Sequence, residues 1–291
     1  MSSQQAVSTP RAYAIMHVCV LLWGVTAILG ALISLPALVL VAWRLSIVLL
    51  LLALWPATWR GLQAMRPALR WRAALAGVFV ALHWWTFYAS IKLSSASVTV
   101  ACLATTPVFV SWLEPLIVRR PFARRELLLG VAAVPAVWLV MGGTPPSMNL
   151  GIAVGILSAL LVAIFAALNK TLAREAPPFA LTAVEFTAGL GILLLGLLIL
   201  RPDHLWPTPQ DWLWLIILSA GCTLAPFAMA FVALRTLSAW SAQLIVNLEP
   251  VYAIILAALL LGEGEALQPG FYAGVVMLLG LTYWASRGAG R

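Results

Sequence analysis

His83, Thr86, Phe87 and Ser90 recur at the i, i+3, i+4, i+7 spacing of one helical face, inside an otherwise apolar stretch. An imidazole in that setting can orient a carboxylate or help move a proton; the plainer reading is a neutral ring bonded to a neighbouring carbonyl. Trp84, Trp85 and Tyr88 flank the face, and deep rings of this kind either pack or stack on a flat substrate. Thr99, Cys102 and Thr106 share a second face, where Pro107 frees a backbone carbonyl for a polar visitor. Pro250 repeats the device behind Gln243, Asn247 and Glu249, an unusually polar run for an apolar stretch. A charged residue at mid-depth costs about 2.5–3.5 kcal/mol on insertion scales, so Glu249 is expected to bind an ammonium, carry a proton or sit in an ion pair. Arg44 is the one basic residue inside an apolar stretch. Its depth is within about 5 Å of that of Glu249 at about 1.5 Å per residue, which predicts a structural Arg44–Glu249 pair. Trp23 and Thr26, with Phe165 and Asn169 beside Lys170, are placed to line a cytoplasmic mouth. Glu114 can snorkel toward Arg119, and Glu185 reads as structural.

The surroundings make these residues conspicuous. Of 291 residues 63% are hydrophobic and 9% charged, whereas soluble domains run near 45–50% and 25%. A transmembrane helix needs about 20 mostly apolar residues. Ten such stretches are read: Tyr13–Ile33, Ala37–Trp55, Ala73–Ile91, Ala96–Val118, Leu127–Met141, Leu150–Leu168, Phe179–Leu200, Trp212–Leu234, Ala239–Leu261 and Leu267–Trp284. Pro36, Pro67, Pro121, Pro145, Pro177, Pro202 and the Gly262-Glu263-Gly264-Glu265 turn separate them, and no connection could hold a soluble domain. The polar Met1–Pro10 segment lacks a small-residue cleavage signal behind its apolar run, so the first helix is expected to remain. Trp55, Trp59, Trp71, Trp206, Trp212 and Trp284 fall at stretch ends, as an interfacial belt would. Gly151-x3-Gly155 and Gly270-x3-Gly274 permit close helix packing, and the second could serve a homodimer.

Charge orients the chain. With ten spans, the side shared by the termini carries 14 Lys and Arg, among them Arg60, Arg66, Arg70, Arg72, Arg119, Arg120, Arg124 and Arg125, against Lys92 and Arg201 opposite. Cytoplasmic loops hold such an excess, so both termini are expected in the cytoplasm.

The sequence also repeats. Tyr88 to Ala96 aligns without gaps on Phe231 to Ala239 at a shift of 143, and the same shift puts Pro107-Val108-Phe109 on Pro250-Val251-Tyr252. The unit is five helices, residues 1–145 and 146–291, and an odd number inverts the second copy. Leu22-Trp23-Gly24, Pro36 followed by Arg44, the Tyr88–Ala96 run, and Leu248-Glu249-Pro250-Val251 ahead of Leu261-Gly262-Glu263 resemble the drug/metabolite transporter superfamily, EamA type. One departure is Arg119-Arg120-Pro121, where the second copy has Gly262-Glu263-Gly264.

The resemblance implies an all-α carrier of ten helices in two inverted five-helix repeats, in a bacterial inner membrane. It also implies a secondary exporter of small metabolites, amino acids first and aromatic ones weakly favoured. The site would draw on His83, Trp84, Phe87, Tyr88, Thr99, Thr106, Asn247, Glu249, Trp23, Phe165 and Asn169. A sugar-phosphate, nucleotide-sugar or drug carrier of the same superfamily is the alternative, and a phosphate carrier would want more buried cations than Arg44. An intramembrane enzyme is the alternative from another class, but neither H-E-x-x-H nor G-x-S-x-G occurs. The Walker motif is missing too, and Cys19, Cys102 and Cys222 suit neither a disulfide framework nor a thiolate metal site. No catalytic residue, metal, cofactor or nucleic-acid partner is expected; the partners are a small-molecule substrate and the bilayer.

Overall fold

Proline placement sets many helix starts, because its fixed φ suits the first turn and its missing N–H costs nothing there. In a computed structural model, residues 8–119, 121–122, 124–234, 236–237, 245–246 and 248–286 are described. The helices are α1 (Thr9–Leu32), α2 (Ala37–Ala53), α3 (Pro56–Ala64), α4 (Pro67–Leu93), α5 (Ala96–Leu103), α6 (Thr106–Val118), α7 (Arg124–Gly142), α8 (Asn149–Glu175), α9 (Pro178–Leu200), α10 (Pro209–Ile216), a π-helical segment (Ile217–Leu224), α11 (Ala225–Leu234), α12 (Glu249–Leu261) and α13 (Pro269–Ser286). Asn247 and Gln243 lie outside the described residues. α1, α4, the α8 region and α9 are each long and apolar enough to cross a membrane, and α2–α3 and α5–α6 form two bent pairs.

Two of the ten stretches differ from their sequence reading. α2 stops at Ala53, and the chain turns 90° into α3, which the sequence left as a loop. α3 starts on Pro56 and buries Thr58 and Gly61, while Trp59 stays exposed. The Ala96–Val118 stretch breaks at Ala104–Thr105, with a 45° bend between its halves. Pro107 has no N–H to return to the carbonyl four residues back, so the helix restarts rather than continues.

The repeat is visible as structure. α6 and α12 are each 13 residues long and begin and end 143 positions apart. Each carries Pro in its first turn and stops on a left-handed residue, Arg119 (φ 58°) and Gly262 (φ 67°). Thr106 and Glu249 are therefore equivalent first residues of two half-helices.

α4 forms the centre, packed along α8 and α9 of the second half. Its approach to α9 depends on glycine: a Cβ on Gly77 would lie 1.9 Å from the Glu185 carbonyl oxygen. Gly274 plays a similar part, since a Cβ there would lie 2.7 Å from the Ala136 carbonyl of α7. The Gly270-x3-Gly274 face is thus used within the chain.

Candidate functional site

Arg44 is 3% exposed, seven residues into α2. Its Nε donates to Thr223 Oγ1 at 3.0 Å and its Nη1 to the Tyr88 hydroxyl at 2.9 Å. The guanidinium carbon lies 3.9 Å from the centre of the Trp84 ring. Trp84 meets Phe186 of α9 edge-on at 5.2 Å, and Tyr88 meets Phe87 at 5.1 Å. Both aromatic partners of Arg44 come from α4 one turn apart, and Thr223 comes from the π-helical segment. The wider turn there lets Thr223 Oγ1 donate to the Leu218 carbonyl five residues back, at 2.8 Å, while it accepts from Arg44. π-helical turns of this kind are frequent at functional sites.

The expected Arg44–Glu249 pair does not form; the hydroxyls of Tyr88 and Thr223 hold the guanidinium instead. α2 packs on α4, α9 and the π-helical segment, whereas α12 packs on α1 and α5. Equal depth was insufficient because the two helices lie in different parts of the bundle. Among the described residues no carboxylate neutralises Arg44. Burying an ion costs several kcal/mol after relaxation, and a desolvated cation–π contact returns about 2 kcal/mol. Two of the five guanidinium N–H donors are engaged by described residues. The remaining donors and the uncompensated charge suit a planar anion such as a carboxylate.

A narrow crevice approaches this cluster, with about 10 Å³ of room for a water-sized molecule. Phe179, Phe186 and Phe227 line it together with Val48, Leu52, Thr182 and Thr223. Thr223 therefore touches both the crevice and Arg44. Leu52 and Phe179 belong to the arginine-rich ends of α2 and α9.

The polar face of α4 predicted from His83, Thr86, Phe87 and Ser90 turns largely toward other helices. His83 Nδ1 lies 2.8 Å from Ser158 Oγ and 3.0 Å from the Ser158 carbonyl of α8. Ser158 donates its single hydroxyl proton to the His83 carbonyl at 3.0 Å, so its Oγ accepts from Nδ1–H and the neutral ring keeps Nε2 as an acceptor. Thr86 bonds back to its own helix. Ser90 bonds Thr99 at 2.8 Å and donates to the Gly151 carbonyl at 2.8 Å, which makes Thr99 part of a knot between α4, α5 and α8. Phe87 sits between His83 and Tyr88, with ring centres 6.0 and 5.1 Å away. Trp84 and Tyr88, which the sequence placed at the flank, are the residues that meet Arg44.

Most of the other expected residues lie apart. Trp23 packs with Tyr252 and Met16 in a separate cluster of α1, α11 and α12. Thr26 donates to the Trp23 carbonyl and its hydroxyl neighbours that of Tyr88, at the edge of the Arg44 cluster. Phe165 packs between two core clusters, and Asn169 lies one turn further along α8. Thr106 and Glu249 occupy the matching half-helix starts. Glu114 pairs with Lys170 of α8 rather than reaching only toward Arg119.

The ends of the bundle are tied by carboxylates. Glu263 accepts the Ala96 and Ser97 amides at 2.9 and 2.8 Å, capping α5. That assigns a role to the acidic turn the first copy lacks. Asp211, 2% exposed, accepts from the Ser34 amide and hydroxyl, each at 2.7 Å, and from the Thr208 hydroxyl at 2.7 Å. Burial opposes its charge, but these donors outweigh it and hold the carboxyl below the usual carboxylate range. A group lowered in the folded state adds stability above its unfolded value of about 3.9 and loses it as the pH falls through its folded value. Asp211→Asn should therefore cost about 1–3 kcal/mol at neutral pH. In thermal melts of purified protein the gap to wild type should close as the pH drops well below about 3.9. A gap that stays constant over that range would show that the Asp211 charge does not contribute. At the opposite end Arg72 bridges to Glu175 at 3.0 Å.

Sequence reasoning missed Thr223, Ser158, Phe179, Phe186 and Phe227. Thr223 had a faint signal in Ser219-Ala220-Gly221-Cys222-Thr223, a run of small residues ahead of Pro226 in an otherwise bulky span. Nothing in the sequence pointed to Ser158.

Together these features define a class: an all-α protein crossing the membrane several times, made of two repeats around a buried polar centre. The chain belongs to the EamA-like transporter family, whose model matches residues 11–142 and again 149–286. A comparison with curated proteins gives no match. A solved structure described as "Crystal structure of protein" is 16% identical, with a TM-score of 0.61 over 97% of this chain and 99% of that one. At that identity the likeness is one of fold.

Proposed function

We propose that this transporter exports small carboxylate-bearing metabolites, amino acids first and aromatic ones favoured, across a bacterial inner membrane. The observation that carries this reading is the buried, uncompensated Arg44 on an aromatic wall, beside a crevice lined by three phenyl rings. The guanidinium binds the substrate carboxylate, and Trp84 and Phe186 supply flat apolar surface for a side chain. The crevice is too narrow for an amino acid, so on this reading admission requires α2, α9 and the π-helical segment to part. Two repeats meeting at mid-depth suit alternating access, with the starts of α6 and α12 near the midplane. A sugar-phosphate substrate fits less well, because Arg44 is the only buried Lys or Arg among the described residues.

Protein in liposomes loaded with radiolabelled phenylalanine, threonine or glucose 6-phosphate tests this reading. Phenylalanine efflux should exceed protein-free leak most strongly, with threonine next and the sugar phosphate at background. Flux of the sugar phosphate alone, or turnover of lipid or peptide without amino-acid flux, would overturn it.

A further inference from the structure

Two of the four buried side-chain polar atoms without a hydrogen-bond partner among the described residues belong to one contact, Glu185 Oε1 and Asn169 Oδ1. Glu185, 2% exposed, lies on α9 seven residues from Pro178. Asn169 lies on α8 six residues from Glu175, and its amide is a hydrogen-bonding neighbour of the Glu185 carboxyl. At about 1.5 Å per residue both sit roughly 10 Å in from the arginine-rich end. Both orphaned atoms are oxygens, so an ionised Glu185 leaves two acceptors facing a site with no donor for either. A proton on Oε1 resolves both at once: the new O–H donates to Asn169 Oδ1.

Among the described side chains, the charged groups on the packed helices are engaged elsewhere or exposed. On α4, Arg70 donates to the Leu62 carbonyl, Arg72 bridges to Glu175, and His83 is bonded to Ser158. Arg44 of α2 is held by Tyr88 and Thr223, Lys170 of α8 by Glu114, and Arg60 of α3 is exposed. α4 presses its backbone on α9 at this level, where a Cβ on Gly77 would lie 1.9 Å from the Glu185 backbone carbonyl oxygen. What points to a proton is the pair of orphaned oxygens, which a single proton satisfies.

We propose that Glu185 is the proton-coupling site of this transporter, with Asn169 as its positioning partner. The inference rests on the transport reading above. With α8 and α9 in contact the carboxyl is protonated and bonded to Asn169. When α8 and α9 separate toward the arginine-rich end, the Oε1–H bond breaks and the proton passes to water there. The carboxylate regains a proton from water of the opposite compartment when the site reopens to that side. One O–H bond forms and one breaks per cycle, and substrate moves against the proton.

The test compares wild type with Glu185→Gln in liposomes, using radiolabelled phenylalanine. Counterflow without a pH gradient and accumulation driven by one are measured side by side. The Gln amide can donate to Asn169 as the protonated acid does, so the variant should keep counterflow within about twofold and lose gradient-driven accumulation by about tenfold or more, within the usual range of coupling. Gradient-driven accumulation that survives in Glu185→Gln overturns the proposal, as does wild-type counterflow with no response to a gradient. Infrared spectroscopy of purified protein provides a readout that needs neither substrate nor the variant's activity. A protonated-carboxyl band is expected in wild type at neutral pH, shifting when the α8–α9 contact is altered by Asn169→Leu; its absence overturns the proposal. If wild type moves no amino acid but shows the shifting band, the substrate reading has failed and the protonation site stands.

Discussion

Arg44→Met should nearly abolish amino-acid flux while leaving the protein at least as stable as wild type. Hydrogen bonds to a charged group are worth about 1.5–3 kcal/mol each, so losing two to a carboxylate predicts a fall of about 100-fold or more. Stability should move the other way. Replacing a buried ion by an apolar side chain of similar volume is often neutral or stabilising by about 1–4 kcal/mol, and no carboxylate among the described residues is left behind when Arg44 goes. Arg44→Lys keeps the charge but loses the planar fork and the stack on Trp84, so it should retain a small fraction of wild-type flux. Flux in liposomes, beside melting temperatures of the same preparations, checks this pattern. If Arg44→Met instead melts well below wild type, the guanidinium is a structural strut and the substrate reading loses its anchor.

Gly77→Ala should be the most damaging single-methyl change in the fold. The added carbon would sit 1.9 Å from the Glu185 carbonyl oxygen and 2.5 Å from its Cα. These are backbone atoms, so no rotamer change relieves the clash and α4 must move away from α9. Overpacking of this kind costs about 1–3 kcal/mol or more, and here it acts on one of the two large contacts of α4 with the second repeat. Little monodisperse protein should survive size-exclusion chromatography, and what does should melt early. Gly191→Ala, on the same helix as Glu185 with nothing within 4 Å of the added carbon, is the control. It should be neutral or slightly stabilising, by up to about 1 kcal/mol. Equal behaviour of the two variants would show that the α4–α9 crossing is looser than described.

Properties summed over many residues were readable in the sequence. Apolar runs bounded by proline located the helices, and the matching termini of α6 and α12 follow the shift of 143 that Pro107 and Pro250 announce. The rotation of each helix was not readable. α4 meets α2 on one side and α8 and α9 on others, so no apolar stripe marks an inner face, and the spacing of His83, Thr86, Phe87 and Ser90 defined a face without saying what it met. Trp84 is about 100° around the helix from His83, which separates a bond to Ser158 from a stack on Arg44. The Arg44–Glu249 expectation failed for a related reason, since depth is one coordinate and helix adjacency another. Glu185 read as structural because its isolation depends on what α4 and α8 bring to it.

Ligand-induced thermal stabilisation of purified protein, with phenylalanine and phenethylamine compared in wild type and Arg44→Met, bears most directly on the assignment of Arg44 as the carboxylate site. The two ligands share a phenyl ring and an ammonium and differ in the carboxylate, so the comparison isolates the group Arg44 is assigned to bind. A ligand that binds only the folded state raises the melting point by an amount set by its concentration relative to Kd. Phenylalanine should stabilise wild type well above phenethylamine, and Arg44→Met should erase the difference. Equal stabilisation of wild type by both ligands, or a difference that persists without Arg44, would contradict the assignment.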